Sequence, residues 1–261
     1  MKKYISLIMT FVFAIVLWSC HDKLELVAPT SGTDGQAFIK FAQVSPSFRQ
    51  VLNNRDSFNI YVNGAKLNGS FLTYGSIFPS TSNLYAAVPA GTIAIRITVN
   101  GVATPDSITL ATFTKTMTAG SYYSFMISDS LLNSADAKQI FVEDKFAITD
   151  TTHYTVRFAH TILNDTLGKN VDVYSMRLAA NMFSNISPGT ITPFASEPYS
   201  LLADTIIVRR AGTNFELTRY ATNNATNGIL FARQRAYTLL YKGTSGTTGT
   251  KPRTLSNIVN Q

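Results

Sequence analysis

The side chains that could do chemistry are few, and their spacing commits none of them to a reaction. His21, His153 and His160 stand in neither an HxH nor an HExxH pattern, so a zinc site built from His153 and His160, with Asp150 or Asp165 nearby, has no motif behind it. The serines and threonines include no GxSxG elbow. In the first half, Asp106, Asp129, Asp136, Glu143 and Asp144 follow Asp56 without forming a motif, and Glu143-Asp144 after QIFV reads as a charged strand end. A carboxylate pair for sugar hydrolysis stays open, because such pairs come from positions far apart in sequence. KGTSGTTGTK at 242–251 fails the P-loop spacing and reads as a polar hairpin loop. TNNATNG at 222–228 offers oxygens to calcium but lacks alternating acids, so it reads as a solvent loop. The sequence thus assigns no catalytic residue, no metal ligand and no cofactor. Cys20 is the only cysteine, which excludes an intrachain disulfide.

That cysteine closes the N-terminal stretch MKKYISLIMTFVFAIVLWSC. Lys2 and Lys3 precede an almost wholly apolar run from Tyr4 to Trp18, the form of a secretory signal peptide. A spanning helix needs about 20 apolar residues; this run is shorter and polar HDK follows at once. A membrane-spanning anchor and an incidental cysteine behind an ordinary signal are the alternatives. Loss of residues 1–19 takes the formal charge from +7 to +5, because Lys2 and Lys3 leave with them. The remaining excess is scattered, with no Lys/Arg stripe for a phosphate backbone, so nucleic acid is not an expected partner.

Leu17-Trp18-Ser19-Cys20 resembles the lipobox of bacterial lipoproteins, a Leu and two further residues before the Cys. The resemblance implies cleavage before Cys20, a diacylglycerol on its thiol and an acyl chain, such as palmitate, on the new amine. Several chains hold a protein firmly to a bilayer where one does so only marginally. Asp22 and Glu25 loosely resemble the charged export signals of Bacteroidetes surface lipoproteins. The implied location is the outer membrane, with its periplasmic and outward faces both open. Residues 20–36 then read as the lipidated cysteine and a flexible tether, with Pro29, Gly32 and Gly35.

Beyond the tether the texture is that of strands. FIKFAQV at 38–44, SFNIYVNG at 57–64, TYGSIF at 73–78, NLYAAVP at 83–89, TIAIRITVNG at 92–101, DSITLATFTKTMTAG at 106–120, SYYSFMISD at 121–129 and KQIFVED at 138–144 are rich in β-branched and aromatic residues. Asn63-Gly64 and Asn100-Gly101 read as hairpin turns, and Ile60 and Val62 should face the side opposite to Asn59 and Tyr61. SLLNSADAK at 130–138 could make one helical turn. The pattern then repeats in order. FIKFAQV matches TVRFAHT at 155–161, NIYVN matches DVYSM at 172–176, and YGSIFPST matches FSNISPGT at 183–190. GTIAIR matches DTIIVR at 204–209, and YYSFMI matches AYTLLY at 236–241. The offsets stay between 109 and 117 residues. The expected fold is all-β: two tandem immunoglobulin-like β-sandwich domains at 37–146 and 152–261, after a lipoprotein signal peptide and short linker. A closed barrel is the runner-up.

FAQVSP at 41–46, FNIYVNG at 58–64, TYGSIFPST at 73–81 and VPAGTIAIRIT at 88–98 together resemble the DUF4397 domain family. The resemblance returns as VRFAHT and VDVY in the second half, which lacks the Ser-Pro and has Leu202-Ala203-Asp204 in place of Pro89-Ala90-Gly91. It implies an extracellular, sandwich-like envelope protein and carries over no catalytic residue. Gly91 and Gly120 read as turn glycines, and Pro89 stiffens the same corner. Tyr85, Tyr122 and Tyr123 could line a glycan surface, although core or sheet-edge packing explains them more simply. The function read here is a lipid-anchored, non-enzymatic envelope protein with a binding, adhesion or structural role. Its partners are membrane lipid through acylated Cys20, and envelope proteins or glycans. The alternative is an envelope carbohydrate-active enzyme or a glycan-binding accessory protein.

Overall fold

The computed structural model describes residues 34–46, 57–81, 83–99, 109–128, 139–146, 148, 150–220, 228–245 and 251–261. Cys20, the expected tether as far as residue 33, Asn100-Gly101, the 130–138 segment and most of the 222–228 loop lie outside them, while Gln36, expected in the tether, opens the first strand. The described residues contain strands and no helix.

Among the described residues the first repeat shows nine strands: β1 (Gln36–Gln43), β2 (Phe58–Val62), β3 (Ala65–Lys66), β4 (Ile77–Phe78), β5 (Ala86–Pro89), β6 (Gly91–Val99), β7 (Thr109–Met117), β8 (Tyr122–Ile127) and β9 (Ile140–Glu143). The second repeats them in order: β10 (His153–His160), β11 (Val171–Ser175), β12 (Ala180–Ile186), β13 (Thr190–Ile191), β14 (Ala195–Pro198), β15 (Ile206–Arg210), β16 (Glu216–Arg219), β17 (Ala236–Lys242) and β18 (Thr254–Val259). In each repeat the first strand pairs parallel with the eighth and antiparallel with the fourth and fifth. The ninth completes a five-stranded sheet, and the other four strands make a second sheet. The sandwich expectation therefore holds, and the closed barrel does not, because the two sheets of a repeat share no strand.

Alternation fixes which face is buried. Phe58, Ile60 and Val62 of β2 and Ile93, Ile95 and Ile97 of β6 meet Ile39 and Phe41 of β1 and Phe125 of β8 in the first core. Tyr61, on the other face, lies under Arg96. The Asn63-Gly64 turn forms as expected, with φ of 48° and 86°, and the Asn63 side chain accepts the Ala94 amide at 2.9 Å. Val156, Phe158, Val173, Val208 and Leu239 build the matching second core.

The five-stranded sheets are buried on both faces. Ala42, Val44, Met126 and Ile140 turn away from the first core and pack against Ala159, Leu240 and Ile258 of the second repeat. Four layers result, with the five-stranded sheets stacked in the middle. One sequence match falls out of register. FSNI belongs to β12, in a four-stranded sheet, while the partner of Ile77 is Ile191, since Ala42 pairs with Ile77 as Ala159 pairs with Ile191. The third strand has two residues in the first repeat and seven in the second, and that extension displaced the alignment.

Asp144 and Arg157 meet across the central layer at 2.6 Å with side chains 0% and 2% exposed. Removing one partner of such a pair leaves a buried charge alone, at a cost of about 3–5 kcal/mol. Asp144→Ala is expected to lower unfolding stability by that amount in urea titrations, while Lys145→Ala, at an exposed neighbour, leaves it within about 0.5 kcal/mol.

Candidate functional site

The titratable groups of the middle layers form one network with matched halves. Lys40 and Arg157 occupy the same position in β1 and β10, Ser124 and Thr238 in β8 and β17, and Asp144 and Asn260 just after β9 and β18. Arg157 donates from Nε to Thr238 Oγ1 at 2.9 Å and from Nη2 to Ser124 Oγ at 3.1 Å. Asp144 Oδ2 accepts from Ser124 Oγ and from Tyr85 OH, both at 2.6 Å. Asn260 donates to Tyr85 OH at 2.8 Å and accepts from Thr238 Oγ1 at 2.7 Å. Lys40 Nζ donates to the Val259 carbonyl at 2.7 Å and stands over the Tyr85 ring. Burial, opposed by Asp144 and reinforced by Arg157, takes the Lys40 ammonium down to about 8. Asp144 is thus no exposed strand end but the acceptor at the centre of the interface. Tyr85 belongs to this network too. Tyr123 is buried, and Tyr122 stacks on Phe38 at 4.9 Å.

The histidines cannot share a metal. They sit at opposite ends of β10, seven residues apart, which in a strand is roughly 23 Å. His153 pairs with Asp150 at 2.7 Å on the surface. His160 is fully buried, accepts the Ile162 amide on Nδ1 and donates from Nε2 to the Gly168 carbonyl at 2.9 Å. Desolvation lowers its pKa, which suits this neutral ring. Among the described residues no three His, Cys, Asp or Glu side chains gather as a metal site.

A second buried ion pair went unforeseen. Arg253 grips Asp165 with Nε at 3.1 Å and Nη2 at 2.6 Å, and Tyr241 OH donates to the same carboxylate at 2.9 Å. Burial alone would raise the Asp165 pKa, but Arg253, the Gly168 amide and Tyr241 outweigh it and bring the carboxyl to about 2. The sequence signal was Tyr241, standing where the first repeat has Ile127.

On the outer face of the second repeat lies an open depression of about 390 Å³, lined by Asp172, Tyr174, Asn181, Arg209, Thr213 and Asn214. β11 supplies Asp172 and Tyr174, β12 supplies Asn181, and β15 supplies Arg209. The Arg209 guanidinium lies 3.7 Å from the Tyr174 ring centre, as Arg96 lies 4.4 Å from Tyr61 in the first repeat. Asp172 accepts the Asn185 amide at 2.7 Å and the Gly212 amide at 2.9 Å, so its carboxylate is taken up in holding the turn. The arrangement offers a ring, amides and hydroxyls to a polar ligand. Two crevices where the repeats meet, one along Pro79, Ser80, Thr81 and Asn257 and one along Asn83, Arg235 and Tyr237, carry no carboxylate.

No family model matches the chain, and no curated protein matches it. Among solved structures, it is similar to a DUF1812 protein from Bacteroides thetaiotaomicron described as a candidate polysaccharide-binding protein. The identity is 11%, the match covers 86% of this chain and 96% of that one, and the TM-score is 0.25. A likeness that slight supports no inference about either fold or ligand.

Lys40 gives the interface a pH signature. Its pKa is depressed on folding, so between about 8 and 10.5 the unfolded chain holds the extra proton and stability rises with pH. Wild type should gain up to about 1.4 kcal/mol per pH unit over that window relative to Lys40→Met, read from urea midpoints across the range. Identical pH profiles for the two proteins refute the buried ammonium.

Proposed function

We propose that this chain is a lipid-anchored envelope protein of the DUF4397 kind, non-enzymatic, whose two fused sandwiches act as a stiff body for binding, adhesion or assembly at the outer membrane. The observation that carries the reading is the fate of the charged side chains buried among the described residues. Asp144, Arg157 and Lys40 hold the repeats together, Asp165, Arg253 and His160 hold the second core, and Asp172 holds a turn. An acid or base needs a proton path to a substrate, and these groups face protein. What the surface offers instead is the open polar depression around Tyr174 and Arg209, whose ring and amide side chains suit contact with a polyhydroxylated ligand such as a glycan. Anchorage is supported by Leu17-Trp18-Ser19-Cys20 behind a short apolar run.

The reading is tested on the native protein. Intact-mass and peptide analysis should find cleavage before Cys20 and acyl chains on its thiol and amine, and Cys20→Ala should move most of the protein out of the membrane fraction. An unmodified amino end, or cleavage well beyond position 20, defeats it.

A further inference from the structure

One corner of the second repeat differs from the first in a way the fold does not require. His153 pairs with Pro198 as Gln36 pairs with Pro89, and Asp204 bridges to Ile229 as Gly91 pairs with Met117. Only Ala90 lies between Pro89 and Gly91, whereas five residues, 199–203, lie between Pro198 and Asp204. The longer loop carries Leu201 and Leu202, which are 81% and 73% exposed. Leu230, one residue past the bridge, is 57% exposed where the first repeat has Thr118. Met176, whose amide bonds to the Thr205 carbonyl, is 55% exposed. Four large aliphatic side chains therefore stand in water within a few residues of one backbone bridge. Exposed clusters of this kind mark contact sites. Nothing in the core needs them, because Ile206, Ile229 and Phe231 already fill the space beneath.

The position of this corner selects its partner. Lys40, midway along β1, reaches Val259, which pairs with Tyr237 opposite Val156 midway along β10. Further along, Lys242 reaches Gly75, whose amide bonds to Gln43 at the end of β1. Hence β1 and β10 point the same way, and the corner, which adjoins the start of β10, lies at the same end of the molecule as the start of β1. The chain enters the fold there, at Asp34, fourteen residues after Cys20. A segment of that length spans no more than about 50 Å. Arg233 and Arg235 are exposed in the loop before β17, at the same end. Arg177 is engaged with Asp204 and the Pro198 carbonyl, and Asp150 with His153.

We propose that this corner is a membrane-contact surface: Leu201, Leu202, Leu230 and Met176 enter the headgroup region of a bilayer, and Arg233 and Arg235 meet its anionic lipids. The acylated cysteine and the corner then make two attachments, which fix how the rigid body stands on the membrane. The orientation rests on the anchor reading for Cys20. The affinity of the corner for lipid does not.

Every described strand and core lies within 34–261, so the chain from residue 21 keeps all of the described fold without the anchor. That chain should float with vesicles of phosphatidylethanolamine and phosphatidylglycerol. Leu201→Ser with Leu202→Ser should reduce the bound fraction about tenfold or more, and Arg233→Glu with Arg235→Glu should reduce it less and remove its salt sensitivity. A wild-type chain that stays in solution overturns the proposal, as does a double-serine variant that floats equally well. Self-association abolished by the same two serines also overturns it, by assigning the leucines to a second copy. In the anchored protein, Leu202→Trp places an indole where brominated acyl chains can quench it. An acylated Cys20 with an unquenched indole sinks the surface and spares the anchor. An unacylated Cys20 with a vesicle-bound soluble chain does the reverse.

Discussion

Everything in this fold is arranged around a carboxylate and a guanidinium that meet where water does not reach. Asp144 closes the first repeat and Arg157 lies in the first strand of the second, 2.6 Å apart. Taking both out of water is costly. The cost is offset by stacking the five-stranded sheets, which buries Ala42, Val44, Met126, Ala159, Leu240 and Ile258, and by giving the carboxylate further donors in Ser124 and Tyr85. The apolar contacts supply attraction without direction. The polar ones set register, because sliding one sheet by a residue would place Arg157 against an apolar side chain and strand Asp144.

The matched positions show how a repeated sandwich came to dock on its copy. Each repeat offers a strand cation, a hydroxyl and a terminal polar group: Lys40, Ser124 and Asp144 in one, Arg157, Thr238 and Asn260 in the other. Only one of the two terminal groups is acidic. Two carboxylates this close would repel, and two amides would leave both cations unneutralised. One acid and one amide let Asn260 donate to Tyr85 while Asp144 receives. The second cation, Lys40, gives its hydrogen bond to the Val259 carbonyl, and desolvation drives its ammonium down to about 8. With the charges of the middle layers engaged in this way, the outer sheets and loops are free to carry the contacts the protein makes with its surroundings.

Much of this was legible in the sequence. Alternating Phe58, Ile60 and Val62 before Asn63-Gly64 named a strand and its turn, and the ordered matches between halves named the repeat. Two-residue strands such as β3 and β4 leave no run to detect, and the seven-residue β12, with Asn185 at φ 58°, was mistaken for the copy of another strand. The stacking had a signal that went unread. FIKFAQ and TVRFAH are buried along nearly their whole length, which means both faces are covered, and a lysine and an arginine at matched positions in such strands need acceptors from elsewhere in the chain. The carbonyl that takes Lys40 belongs to Val259, 219 residues away, and no local pattern links them. The depression at Tyr174 and Arg209 was equally hidden, since it forms only when β11, β12 and β15 lie side by side.

The claim that the repeats are one body, sewn by buried charge, has a direct thermal test. Calorimetry of the chain from residue 21 should show a single transition whose calorimetric and van't Hoff enthalpies agree, because neither sandwich can open without exposing the shared layer. Two resolved transitions, each with the heat of one sandwich, would contradict it.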